Sequence, residues 1–142
     1  MDLVLDANIL FAAFIKDSTT RGILLTKTPL PLKLYTTPFI LEETYKYRKL
    51  LAKKTSLDGN EIMELVLELM SASNIEIIKE KELNKFKTEA RRISPMENDS
   101  SYFTVALYKN CKIWSNDKLL KDQDIVDVIT TKELLALLTM PQ

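Results

Sequence analysis

The chain has 142 residues, of which 46% are apolar and 28% charged, and its 20 basic and 20 acidic side chains cancel. We therefore expect one globular domain over residues 1–142, without a net field that would attract a polyanion. A single cysteine excludes an internal disulfide, and no apolar run approaches the roughly 20 residues that cross a bilayer, so we expect a cytoplasmic protein without a membrane segment.

Strand-like and helix-like segments alternate along the chain, which predicts parallel βαβ units and a three-layer α/β/α sandwich with a central parallel sheet. In chain order the sequence predicts a strand over residues 3–6, a helix from 8 to about 15 or beyond, a strand over 32–36, a helix from 38 to about 54, a helix from the cap at 58 through 70, a strand over 75–78, a helix over 79–92, a helix from 99 through 107, strands over 112–115 and 125–129, and a helix over 132–138.

Two helix starts are marked by capping residues. Thr37 is a good N-cap, and Pro38 suits the first helical position because its fixed backbone angle is helical and its missing N–H is not needed there. Asp58 and Glu61 are three residues apart, immediately before an apolar stripe with helical spacing that begins at Ile62. This arrangement predicts a capping box.

Three aspartates stand where such a sheet would place a site. Asp6 and Asp117 follow predicted strands, and open parallel sheets bind ligands beyond the carboxyl ends of their strands. Asp99 opens a helix whose apolar face includes Tyr102 and Phe103. The chain contains no histidine and only Cys111, so a metal site would consist of oxygen ligands, which favour Mg²⁺ or Mn²⁺ over Zn²⁺.

Helical geometry selects a fourth carboxylate from two adjacent glutamates. At about 100° per residue, Glu42 shares a face with Lys46 and is expected to be a solvated surface pair with it, whereas Glu43 lies beside Ile40 and Tyr47. A carboxylate at the edge of a packed face needs a partner to offset its desolvation, and a metal ion is one such partner. We therefore choose Glu43.

Each acid also has a purely structural interpretation. For Asp6, a role as the cap of the following helix is as good an explanation as catalysis. Asp99 can be explained as an N-terminal helix charge, and Asp117 as a turn residue. Their occurrence together with Glu43, in the order strand, helix, helix, strand, favours a shared metal site. Two more polar residues could support the ligands from behind, although both are common in turns and at strand ends: Asn8 and Ser115.

Other classes of site have less support. Gly22 and Gly59 are the only glycines, which excludes a glycine-rich phosphate loop and a dinucleotide fingerprint. A phosphotransferase of the haloacid dehalogenase type would need a second Asp two residues after the first, where this chain has Asn8. Residues 46–54 and 79–92 are rich in Lys and Arg, but such faces are usually solvated surface unless a neighbouring site binds a polyanion.

Four segments that span nearly the whole chain resemble, in order and spacing, the acidic motifs of PIN domains. They read LDANIL at 5–10, TPFILEE at 37–43, DSSYFTVAL at 99–107 and IWSNDK at 113–118. The resemblance implies the PIN three-layer sandwich and a catalytic metal-binding quartet formed by Asp6, Glu43, Asp99 and Asp117. Many relatives have Thr or Ser where this chain has Ala7.

The resemblance also implies a function. PIN domains of this kind are metal-dependent endoribonucleases, so we expect one or two Mg²⁺ or Mn²⁺ ions and cleavage of single-stranded or structured RNA, with the basic helix faces guiding the RNA backbone. In size, this chain resembles the small stand-alone PIN domains that look like VapC toxins, and in composition it resembles their archaeal members. The resemblance implies an antitoxin partner and a homodimer. The alternative is a catalytically silent PIN scaffold that binds RNA or protein.

Overall fold

A parallel sheet forms the centre of the molecule. The computed structural model describes residues 1–15, 18–26, 28 and 30–141. Within them, five strands pair in the order β3-β2-β1-β4-β5, and every pairing is parallel. The strands are β1 (Asp2–Leu5), β2 (Lys33–Thr36), β3 (Glu76–Ile77), β4 (Lys112–Trp114) and β5 (Val128–Ile129).

Helices connect the strands and cover both faces of the sheet. No helix in the described part of the chain is both long and apolar enough to span a bilayer. The helices are α1 (Ala7–Ile15), α2 (Ser18–Leu25), α3 (Phe39–Lys54), α4 (Gly59–Ala72), α5 (Glu80–Leu83), α6 (Lys87–Ile93), α7 (Ser100–Lys109) and α8 (Thr131–Leu138), with 3₁₀ turns at Asn84–Phe86, Glu97–Asp99 and Lys118–Lys121.

The alternation of side chains along the central strand β1 divides the core in two. Leu3 and Leu5 point to one face and pack with buried residues of α1, α2, α3, α4 and α8. Val4 points to the other face and packs with buried residues of α5, α6 and α7. All three side chains are fully buried. The predicted α/β/α sandwich with a parallel sheet is confirmed.

The strand order brings the ends of β1 and β4 together. From β1 the chain adds β2 and β3 on one side, and then returns to add β4 and β5 on the other side. Leu5 is in register with Trp114, so Asp6 and Ser115, the residues that follow, leave the sheet side by side. This reversal of strand order is where open α/β sheets leave a crevice for a ligand.

The predicted caps largely hold. Asp58 accepts a hydrogen bond from the Glu61 backbone N–H at 2.9 Å, and Glu61 accepts one in return from the Asp58 N–H, so the capping box is confirmed. The other helix begins one residue later than predicted, at Phe39, with Pro38 in the cap position. The Thr37 hydroxyl still accepts from the Phe39 N–H at 3.3 Å.

The last strand is shorter than the predicted 125–129, because a side chain takes over the backbone groups before it. The Gln123 amide oxygen accepts from the N–H groups of Ile125 and Val126, and its NH₂ donates to the carbonyls of Leu120 and Val126. Groups bonded to Gln123 do not extend the ladder, so β5 contains only Val128–Ile129.

One helical prediction differs from the structure, and one helix was not predicted separately. The segment predicted as one helix over 79–92 is interrupted by the 3₁₀ turn Asn84–Phe86, which separates α5 from α6. A 3₁₀ turn stacks residues three apart, so buried Leu83 and half-buried Phe86 stay on the core side. The sequence also gave no separate prediction of α2, whose Ile23 and Leu24 are buried.

Candidate active site

Asp6 is the most buried acid of the proposed site, with only 3% of its surface exposed. Its Oδ1 accepts from the Ile9 N–H at 3.1 Å, and its Oδ2 accepts from the Ser115 hydroxyl. The pKa of Asp6 is raised to about 7, mainly by burial; the two hydrogen bonds oppose this increase, and the charges of Asp99 and Glu43 contribute to it. Asp6 does cap α1, as one interpretation of the sequence held, but a cap alone does not require a buried carboxylate beside two others.

Ser115 connects Asp6 to Asp117. The side chain of Ser115 is fully buried, and its hydroxyl donates to Asp6 while accepting from the Asp117 backbone N–H at 3.0 Å. Asp117 is half-buried, and its Oδ1 accepts from the Leu119 N–H at 3.0 Å, where the 3₁₀ turn Lys118–Lys121 begins. These hydrogen bonds restrict the orientation of both aspartates.

Glu43 and Glu42 differ as predicted in their exposure. Glu42 is exposed, whereas Glu43 is half-buried and accepts a hydrogen bond from the Tyr102 hydroxyl at 3.1 Å. Burial raises the pKa of Glu43, the Tyr102 hydrogen bond lowers it, and the charge of Asp99 raises it again. The predicted ion pair between Glu42 and Lys46 is not among the salt bridges of the described residues; the Lys46 ammonium instead lies 5.5 Å from the Tyr47 ring centroid.

Asp99 occupies the cap position of α7 without acting as its cap. Its carboxylate accepts no hydrogen bond from the helix, which leaves both oxygens available. The side chain is half-buried; burial raises its pKa, and the charge of Asp117 raises it further. Asp99 does lie at the N-terminus of α7, as the alternative interpretation of a helix charge expects, but its side chain does not cap the helix.

Tyr102 joins the site from a position that the sequence assigned to the apolar face of α7. Only 1% of its surface is exposed, and its hydroxyl accepts from the Ala7 N–H at 3.1 Å and donates to Glu43. Burial raises the pKa of Tyr102 well above its usual value, so the phenol remains protonated. The sequence did contain a signal, because Tyr102 lies one helical turn after Asp99 and a buried phenol needs a hydrogen-bond partner.

An open cleft of about 850 Å³ lies beside these carboxylates, between α1, α3 and residues 96–101. Glu43, Asp99 and Asn8 line it. Tyr47, which the sequence placed on a packed face with Glu43, is 40% exposed and forms part of the cleft wall, where its ring meets that of Phe11 edge to face at 6.3 Å. The face beside Glu43 is therefore a wall of the cleft, only partly packed.

The chemistry of the four carboxylates fits a hard divalent cation. Asp6 feels the charges of Glu43 and Asp99, Glu43 feels that of Asp99, and Asp99 that of Asp117, and each interaction raises a pKa. A cation among them would reverse these effects. Among the described residues, no three acidic or cysteine side chains form a group that could hold a metal ion as they are arranged here.

Comparisons with known proteins agree with this fold. No curated protein matches the chain. Among solved structures, a toxin–antitoxin complex from Klebsiella pneumoniae is similar, with 14% identity, a TM-score of 0.62, and coverage of 91% of this chain and 97% of that one. VapBC2 from Rickettsia felis, solved bound to a DNA fragment from its promoter, is similar with 18% identity, a TM-score of 0.63, and coverage of 92% and 98%. The family model described as PIN domain matches residues 4–138, and the chain therefore belongs to the PIN domain family.

Proposed function

We propose that this PIN domain is a metal-dependent endoribonuclease that cleaves phosphodiesters of single-stranded RNA. The observation that carries the proposal is the set of four electrostatically coupled carboxylates, Asp6, Glu43, Asp99 and Asp117, at the carboxyl edge of the sheet. A cleft opens beside them and gives a polymer access to Glu43 and Asp99. Oxygen-only donors of this charge suit Mg²⁺ or Mn²⁺.

In the proposed mechanism the four carboxylates would hold the metal. A bound divalent ion would activate a water molecule and stabilise the charge that develops on the phosphodiester. The chain itself orients the ligands: the Ser115 hydroxyl and the Ile9 N–H hold Asp6, and the Leu119 N–H holds Asp117. The exposed rings of Phe39 and Tyr47, which line the cleft, would stack on unpaired bases, and this favours single-stranded RNA over a duplex.

We also propose a VapC-like role, with an antitoxin protein as partner and a homodimer as the working form. Both solved relatives come from toxin–antitoxin complexes, and the chain covers nearly the whole length of each. Toxicity on expression in a host cell, relieved by the product of a small neighbouring gene, would support this role. Harmless expression of a catalytically active protein would contradict it.

Titration with Mn²⁺ tests the metal site through a matched pair of glutamates. We expect the wild-type protein to bind Mn²⁺ in calorimetry and Glu43→Gln to weaken the binding roughly tenfold or more, because a ligand charge is lost next to the ion. Glu42→Gln removes the same charge one residue earlier, on an exposed side chain, and should change the affinity less than about twofold.

The same titration separates the nuclease from a silent PIN scaffold. A scaffold that binds RNA or protein without cutting would show no Mn²⁺ binding that depends on these carboxylates. Equal affinities for Glu43→Gln and Glu42→Gln would contradict the choice of Glu43 as a ligand.

A small cavity next to the cleft offers a place for the RNA backbone. Its volume is about 130 Å³, it shares Ser100 and Ser101 with the cleft, and α6 contributes Lys87 and Arg91 to its lining. The Lys87 ammonium is already paired with Glu80 at 3.0 Å. The Arg91 guanidinium forms no ion pair or hydrogen bond with the described residues, so it remains available for a phosphate.

Arg91→Ala should therefore raise KM for a single-stranded RNA about five- to tenfold, because one phosphate contact is lost. It should leave kcat within about twofold, and the dependence of RNA binding on salt should become shallower. Arg92→Ala is the control, since the neighbouring Arg92 is occupied by a bidentate interaction with Glu89. Steady-state kinetics at several salt concentrations compare the two variants, and an equal effect of both would contradict the role of Arg91.

A further inference from the structure

We infer that Tyr102 is a positioning residue that holds the Glu43 carboxylate in place for the proposed metal site. This inference rests on the proposed function, because it assigns Tyr102 a role toward one of the four ligands. The phenol is 99% buried, and its hydroxyl lies 3.1 Å from both the Ala7 nitrogen and the Glu43 Oε1.

The direction of both hydrogen bonds is determined by their partners. The Ala7 backbone N–H can only donate, so the Tyr102 oxygen must accept from it. The single phenolic proton is then left for Glu43, whose carboxylate can only accept when ionised. The hydroxyl is fully used by these two groups, and its proton points at the Glu43 oxygen.

This hydroxyl connects three elements that meet at the site. Glu43 belongs to α3, whose buried residues pack on one face of the sheet, and Tyr102 belongs to α7, which packs on the other. Ala7 directly follows Asp6 at the start of α1. The two hydrogen bonds therefore hold Glu43 at a set distance from the chain segment that carries Asp6.

The physical benefit is preorganisation of a flexible ligand. Glu43 is only half-buried, and a glutamate of that exposure samples several rotamers unless something holds it. A ligand that is already ordered loses less side-chain freedom when the ion binds. An apolar residue at position 102 would fill the same core space, but it would leave the Ala7 N–H without this acceptor and Glu43 unrestrained.

The test measures Mn²⁺ affinity by calorimetry, independently of RNA cleavage. We expect Tyr102→Phe to weaken Mn²⁺ binding about three- to tenfold, because the ring stays and only the hydroxyl is lost. Tyr108→Phe is the matched control: it lies on the same helix, is half-buried, and its hydroxyl makes no hydrogen bond with the described residues. It should bind Mn²⁺ with unchanged affinity.

A double-mutant cycle with Glu43→Gln shows whether Tyr102 acts through Glu43. If it does, Tyr102→Phe should have no further effect on Mn²⁺ affinity in the Glu43→Gln background. A general structural role would weaken binding equally in both backgrounds and would overturn the inference, as would equal affinity of Tyr102→Phe and the wild type. Absence of Mn²⁺ binding by the wild-type protein would instead overturn the proposed function itself.

Discussion

Asp6→Asn is expected to reduce metal-dependent cleavage of single-stranded RNA by at least about a thousandfold. A metal-stabilised phosphodiester displacement depends on several kcal/mol of charge stabilisation, and each ~1.4 kcal/mol lost is a factor of ten in rate. Asp6 is the most buried of the four acids and interacts with the charges of both Asp99 and Glu43, so its loss should weaken metal binding by the whole carboxylate set. Asp99→Asn is expected to behave similarly.

The measurement uses purified protein, a fluorescent single-stranded RNA and added Mn²⁺, with excess EDTA as the metal-free arm. Asp124→Asn serves as the control substitution, because Asp124 is exposed and forms no side-chain hydrogen bond or ion pair with the described residues. It should cleave like the wild type. Unchanged cleavage by pure Asp6→Asn would refute the assignment of the site.

The same substitution is expected to stabilise the metal-free protein at alkaline pH. Burial raises the pKa of Asp6 from 3.8 to about 7 in the folded protein. Between these values the folded state binds more protons than the unfolded state, so the stability of the wild type falls as pH rises through that window. Asn carries no charge at any pH and avoids the loss. At pH 8 the gain should be roughly 2 to 4 kcal/mol.

Urea denaturation in EDTA at pH 8 and pH 4.5 measures this gain. The difference between Asp6→Asn and the wild type should shrink to below about 1 kcal/mol at pH 4.5, close to the ordinary pKa of an aspartate. Asp124→Asn should match the wild type at both pH values. A variant that is no more stable than the wild type at pH 8 would show that the Asp6 charge is not a cost to the fold.

Local chemistry explains which parts of the fold the sequence predicts well. The capping box at Asp58 involves residues three apart, so its geometry follows from the helix alone. The difference in exposure between Glu42 and Glu43 likewise needed only the helical repeat. By contrast, the shortened β5 depends on Gln123 bonding to residues in a turn, and nothing in a strand-like run such as 125–129 indicates that its first N–H groups will be taken by a side chain.

Tyr102 shows the limit of periodicity at the site. The apolar spacing of α7 correctly predicts that Tyr102 is buried, but it does not indicate where the hydroxyl points. Its partners, Ala7 and Glu43, are 95 and 59 residues away in the chain. A contact at that separation exists only after α1, α3 and α7 have packed around the end of the sheet.

The sequence by itself determined the alternation of strands and helices and the parallel sandwich, because these depend on periodicity, caps and residue types that act locally; it also proposed the four acids as a metal site. The tertiary structure alone decided how the acids affect one another. The reversal of strand order places Asp6 beside Ser115, and packing from both faces of the sheet brings Glu43 and Asp99 close enough for their charges to raise the pKa of Asp6. Burial and charge interaction depend on distances in space, which only the packed chain defines.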